Sequence, residues 1–183
     1  MNNFREIEKK FFLHGETYHS ARGKIDAFLE QHGGVQKETT GSGADIFWRV
    51  ENGVFMRVRA YDGCEAAGQL TLKAEDMGGI ANRLETNLTL CTEGDMANAI
   101  EMCNTLYGEA VRDVWKKYHI FWLTDDANIV IYETDKDLPL ILEVEGGSQY
   151  VVDALEKLVG DIFTLTPENS SLFDLVGGLD ATA

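Results

Sequence analysis

The sequence predicts an α+β fold on a largely antiparallel sheet, and three observations carry that prediction. Segments with period-two alternation outnumber those with helical spacing. They often follow one another directly, punctuated by glycine, with no helix between them to carry a parallel crossover. The 183-residue chain also holds no internal repeat, low-complexity tract or Pro/Ser-rich linker, so one domain spanning residues 1–183 is expected.

The elements follow in order. "FREIEKKFF", residues 4–12, reads as a strand with Glu6, Glu8 and Lys10 on one face and Ile7 and Phe11 on the other. Residues 17–32 read as a helix through Ile25, Phe28 and Leu29, stopped by Gly33-Gly34. Alternating segments come next at 44–50, 53–61, 68–75 and 82–90. A second helix is expected to start at Asp95 as N-cap, with Met96, Ala99, Ile100, Cys103 and Leu106 on one side. Strands are expected near 111–123, 128–134 and 139–146. Ser148 suits the N-cap of a third helix bearing Val151, Leu155, Leu158 and Val159, and Pro167 the first turn of a last short one.

Composition narrows the function. Sixteen Lys and Arg against 31 Asp and Glu leave a net charge of −15, which argues against nucleic acid or an anionic membrane as partner. A small anion held by a local cluster of bases is still compatible with it. No apolar run is long enough to cross a membrane, and the polar N-terminus does not resemble a signal peptide. Cys64, Cys91 and Cys103 lack metal or C-x-x-C spacing, so a reduced, cytoplasmic setting is expected, with the cysteines as packing residues. The four histidines show no ligand spacing, and the three tryptophans read as packing groups.

The strands share one peculiarity. Arg57 and Arg59 stand on one face of "VFMRVRAY"; Gln69, Thr71 and Lys73 on one face of "QLTLKAE"; Arg83, Glu85 and Asn87 on one face of "RLETNLTL". Lys116 stands with Tyr118, Glu133 with Ile129 and Ile131, and Glu143 with Glu145 opposite Leu142 and Val144. Acid pairs occupy the first and last strands and bases those between, whereas a solvated face mixes the signs. If the sheet closes with these faces inward, the apolar faces turn outward under the helices. A polar interior is costly unless water, metal ions and a charged ligand fill it, so such a tunnel would be a site.

These residues resemble the CYTH domain, or triphosphate tunnel metalloenzyme, family. The likeness rests on E-x-E-x-K (Glu6, Glu8, Lys10), R-x-R (Arg57, Arg59), T-x-K (Thr71, Lys73), R-x-E (Arg83, Glu85), a strand lysine (Lys116) and E-x-E (Glu143, Glu145), over residues 4–176. "DIFWRVENGVFMRVR" also looks like the family's run from an aspartate and aromatics into R-x-R. The resemblance implies a closed antiparallel eight-stranded β-barrel, with helices packed outside and a triphosphate in its lumen. It implies Mg²⁺ or Mn²⁺ on Glu6, Glu8, Glu133, Glu143 and Glu145, and phosphates on Lys10, Arg57, Arg59, Lys73, Arg83 and Lys116. Lys10, Arg57, Arg59, Lys73 and Glu85 would be the catalytic set. The chemistry agrees: hard cations take carboxylate oxygens, and Arg and Lys suit phosphate.

The chain departs from the family pattern at Asn87, where R-x-E-x-E has its last acid, and at Tyr118, where an arginine is usual. Glu133 stands where aspartate is common, Pro139 where glycine is frequent, and no Lys or Arg follows Lys157. The leading expectation is a metal-dependent triphosphatase acting on tripolyphosphate, thiamine triphosphate or a nucleoside triphosphate. The alternatives are a class IV adenylyl cyclase and a non-catalytic triphosphate or polyphosphate binder. The partner expected is a small-molecule triphosphate, with a homodimer allowed.

Overall fold

The computed structural model describes residues 2–50, 54–62, 67–74, 81–172 and 174–175, leaving aside the side chains of 2–6, 74 and 81–85. Its described elements are β1 (Asn2–Leu13), α1 (Tyr18–Gln31), β2 (Lys37–Arg49), β3 (Val54–Ala60), β4 (Gly68–Ala74) and β5 (Ala81–Leu90). They continue with α2 (Glu93–Tyr107), β6 (Arg112–Thr124), β7 (Ala127–Thr134), β8 (Leu140–Gly146), α3 (Gln149–Gly160) and β9 (Thr166–Glu168). The fold is α+β: three helices and one nine-stranded antiparallel sheet in the order β5-β4-β3-β2-β6-β7-β8-β1-β9. β5 also pairs with the first half of β1, from Asn2↔Asn87 to Glu8↔Ala81.

The helices start where short polar side chains satisfy their first N–H groups. Thr17 accepts from Ser20 N at 3.2 Å, and Ser148 caps α3 as expected. α2 starts earlier than expected. Thr92 is its N-cap, and Asp95 sits at the third helical position, where its carboxylate returns to the Thr92 N–H in a capping box. β2 begins at Lys37 rather than near 44, because "KETTGSG" pairs with β6 without carrying an apolar signal. The Pro167 segment is β9, not a helix. It lies along β1 from Lys10↔Glu168 to Phe12↔Thr166, and a proline is tolerated there at the margin of a sheet.

The two sheet faces are as unlike as the alternation requires. The larger core lies between the sheet and α1 and α3, where Phe11, Leu13, Phe121, Ile129, Ile131 and Leu142 meet Ile25, Val152 and Val159. A smaller cluster, with Trp48, Met56, Val58 and Leu90, sits under Ala99 and Cys103 of α2. Leu106, expected on that buried side, is 62% exposed. Cys91 and Trp115 are exposed rather than packed, and Cys64 lies outside the described residues. Among the described residues no helix is long and apolar enough to cross a membrane.

Candidate active site

The opposite faces of the same strands bring charged residues together. Glu8 stands opposite Glu145, and Lys10 opposite Glu143, along the β1–β8 pair. One carboxylate oxygen from each of Glu8, Glu143 and Glu145 lies within 4.8 Å of the others. Lys10 Nζ is 3.2 Å from Glu143 and 3.9 Å from Glu8, and it donates to the Ser170 carbonyl at 3.2 Å. The Tyr132 hydroxyl donates to Glu143 Oε1 at 2.8 Å. Burial pushes Glu143 up, but Lys10, Lys116, the Tyr132 hydroxyl and Lys73 outweigh it and hold the carboxyl at about 2. The fields of bases from three different strands thus converge on one acid.

The bases line β3, β4 and β6. Arg57, Lys73 and Lys116 are buried despite their charge. Arg57 Nη2 donates to Thr71 Oγ1 at 3.2 Å, and the Thr71 hydroxyl donates to Asn87 at 2.7 Å. Asn87 thus anchors the threonine that orients an arginine. Lys116 is lowered to about 8 by burial and by the Arg59 and Arg57 charges, against the pull of Asp45 and Glu143. Tyr118 lies over Gly41, where a Cβ would stand 2.5 Å from its hydroxyl. An aromatic ring, not an arginine, therefore occupies that part of the wall.

Glu133 does not join the acids. It pairs in register with Lys117, lies 3.7 Å from that ammonium and is 44% exposed. Its parity with Ile129 and Ile131 puts it on the helix-covered face, away from the Glu8, Glu143 and Glu145 group where a metal was expected. The side chains of Glu6, Arg83 and Glu85 lie outside the described residues; their backbones pair as Glu6↔Arg83 and Lys73↔Glu85.

Two buried groups carry no site role in the sequence reading, although Asp45 is the aspartate that opens "DIFWRVENGVFMRVR". Asp45, fully buried, takes Arg59 Nε at 2.6 Å and Nη2 at 2.9 Å in a forked pair. Tyr132, also buried, looked like one more aromatic of a core strand. The available signal for Asp45 was an acid at the inward parity of β2, opposite R-x-R in the next strand. Beyond the charges the inward face turns apolar, where Leu172 and Leu175 of the C-terminal segment pack with Tyr118, Val130 and Ile141.

The acidic group fits a metal: three carboxylates, two of them in contact with Lys10, form an all-oxygen anionic donor set suited to a hard divalent ion. No family profile and no curated protein matches the chain. Solved structures do. The PH1012 protein from Pyrococcus horikoshii OT3 is 17% identical with a TM-score of 0.72, over 93% of this chain and 98% of that one. A candidate adenylate cyclase from Vibrio parahaemolyticus is 13% identical with a TM-score of 0.69, over 96% and 99%. HpAC1 from Hippeastrum, described as having a dominant triphosphatase activity, is 15% identical with a TM-score of 0.64, over 93% and 94%. At these identities the likeness is one of fold, and this chain has the CYTH-type fold that such proteins share.

Proposed function

We propose that the protein is a divalent-metal-dependent triphosphatase, hydrolysing the terminal phosphoanhydride of a small triphosphate inside a closed eight-stranded tunnel. The observation that carries this is the meeting of the Glu8–Glu143–Glu145 carboxylates with a lumen of buried bases whose charges reach the same Glu143. The chain's own bases bind and orient the phosphates. Arg57, Lys73 and Lys116 offer cations on one side, and Lys10 offers one beside the acids. The backbones of Arg83 and Glu85 pair with those of Glu6 and Lys73. Glu8, Glu143 and Glu145, with Glu6 by strand parity, would hold Mg²⁺ or Mn²⁺. When bound, that ion supplies charge neutralisation at the phosphate oxygens.

Hydrolysis is an in-line displacement. Water oxygen forms a bond to the terminal phosphorus, the bond to the bridging oxygen breaks, and the water proton passes to a carboxylate of the acidic group. The leaving phosphate keeps the electron pair of the broken bond, facing the bases that stabilise it. HpAC1, a protein of this fold described as having a dominant triphosphatase activity, is in keeping with that reading.

A ³¹P NMR time course with tripolyphosphate, thiamine triphosphate and ATP, each with Mg²⁺, Mn²⁺ or EDTA, tests the proposal. Orthophosphate should appear only with metal and disappear in Glu8→Ala. Pyrophosphate with cyclic AMP from ATP would replace the triphosphatase by a cyclase. Binding without turnover would leave a receptor.

A further inference from the structure

Asp45 is the most enclosed charge among the described residues of the tunnel wall, and three of the phosphate-facing cations gather on it. β2 runs between β3 and β6, with Asp45 directly opposite Arg59 and diagonal to Arg57 on one side and Lys116 on the other. Arg59 grips it with two donors, Lys116 Nζ stands 3.2 Å from Oδ2, and Arg57 Nη1 stands 3.9 Å from it. The carboxylate itself is not exposed at all, while the three cations keep 10–19% side-chain exposure. The acid therefore sits behind the bases, on the side away from solvent. Gly43 is the register partner of Lys116, so no side chain on β2 stands opposite that lysine. The Gly43 backbone also approaches Ala60 too closely for any Cβ, which pins β2 to the end of the arginine strand.

We propose that Asp45 is a positioning residue: one buried carboxylate that fixes Arg57, Arg59 and Lys116, cations from two strands, as a preformed phosphate cradle. Three cations around one anion leave an excess positive charge facing the lumen. Without the carboxylate the three would repel one another and scatter into other rotamers. Two donors of the Arg59 fork are taken by Asp45, so Arg59 is held in one orientation before any anion arrives. Such preorganisation lowers the ordering cost of binding. The proposal rests on the triphosphate-binding reading of the same tunnel.

Asp45→Asn separates positioning from mere charge balance, because the two predict opposite signs. The variant keeps the size of the side chain and makes the tunnel one charge more positive. If Asp45 only balances charge, tripolyphosphate binds the variant more tightly than the wild type. If Asp45 positions the cations, tripolyphosphate binds at least about tenfold more weakly despite the added positive charge. Titration calorimetry in EDTA, well below each protein's melting midpoint, reads this without metal or turnover. A purely structural role lowers the melting midpoint and leaves the dissociation constant unchanged. Should Asp45→Asn fail to fold, Asp45→Glu keeps the charge and carries the carboxylate one methylene outward. Weaker binding there supports the proposal, and wild-type binding overturns it. If wild-type protein binds tripolyphosphate neither in EDTA nor with Mg²⁺ or Mn²⁺, the triphosphate reading itself falls and takes this proposal with it. If wild-type protein binds and both variants bind as well or better, only the role of Asp45 falls.

Discussion

The sheet has two halves that are held together differently. Strands β1 and β6–β8 carry the acids inward and rest outward on α1 and α3, through a continuous core that includes Phe11, Phe121, Ile129, Ile131 and Leu142. Strands β2–β5 carry most of the bases inward and pack chiefly on α2, through a small cluster around Trp48 and Val58. In that second half Leu72 and Leu88 remain 40% and 45% exposed on the outer face. The first half is a packed scaffold. The second is tied together by its inward charges as much as by apolar burial, with Asp45 as the tie. The clustered acids thus stand on the rigid half, and most of the inward bases stand on the half that charge organises.

The largest test of that contrast is apolar truncation. Leu142→Ala, in the scaffold core, should destabilise the protein by about 3 kcal/mol in urea unfolding, the range for a fully buried leucine that leaves a cavity. Leu106→Ala, on α2, should change stability by no more than about 0.5 kcal/mol, because the side chain is already mostly in water. Equal losses would erase the difference between the halves.

Gly41→Ala tests the seam between them. The added methyl meets the Tyr118 hydroxyl and ring edge, so the ring must swing into the lumen or the strands must part. Overpacking of this kind costs about 1–3 kcal/mol. Near-ultraviolet circular dichroism or fluorescence melting should show that loss in Gly41→Ala and recover it in Gly41→Ala/Tyr118→Phe only if the hydroxyl is the obstacle. No recovery would place the obstacle in the ring itself.

Much of this was legible in the sequence, for one reason. Side chains alternate strictly along a strand, so once β1, β3 and β8 were recognised, the inward placement of Glu8, Lys10, Arg57 and Glu145 followed from parity. The same rule put Glu133 with Ile129 and Ile131, and the structure keeps it there, which is why the family position could not make it a lumen residue. What parity cannot supply is which strand lies beside which. Asp45 is visible as the aspartate of "DIFWRVENGVFMRVR", but it has no role until β2 is seen between β3 and β6, with arginines on one flank and a lysine on the other. Pro167 misled because a proline fits both the first turn of a helix and a strand margin, and only the presence of β1 alongside decides.

The charged seam where β6 meets β2 should also reveal itself by pH, through Lys116 on its β6 side. Lys116 titrates at about 8 in the free protein, and an anion at its ammonium favours the charged form. Tripolyphosphate binding should therefore take up protons above pH 8, with affinity falling by up to about tenfold per pH unit between there and the ordinary value of 10.5. Stability of the ligand-free protein should run the other way. The folded state binds fewer protons than the unfolded one across that window, so the contribution of Lys116 to stability rises with pH. Calorimetry in two buffers of different ionisation enthalpy measures the uptake directly. No uptake at pH 9 would mean that Lys116 does not meet the phosphate.

The scaffold half has a smaller titration of opposite location, on its outer face. His119 is fully buried, stacks on Phe121 and meets Glu38 Oε2 at 2.9 Å, with Arg22 and Asp26 of α1 nearby. Burial and the Arg22 charge lower its pKa below 6.5, against the pull of Glu38 and Asp26. A lowered histidine binds fewer protons folded than unfolded, so its stability contribution is present above pH 6.5 and is lost as pH falls through the folded value. Asp26 is raised, chiefly by burial and by Glu38, and acts with the opposite sign in a lower window that starts from 3.8. The wild-type slope alone therefore mixes the two, and the variant comparison isolates the histidine. His119→Phe should flatten the fall in melting midpoint between pH 7 and 5.5, because the ring keeps its stacking partner and loses its proton site. An unchanged slope would move the acid-sensitive element of the scaffold elsewhere, and overturn the idea that the packed half holds buried His119 neutral.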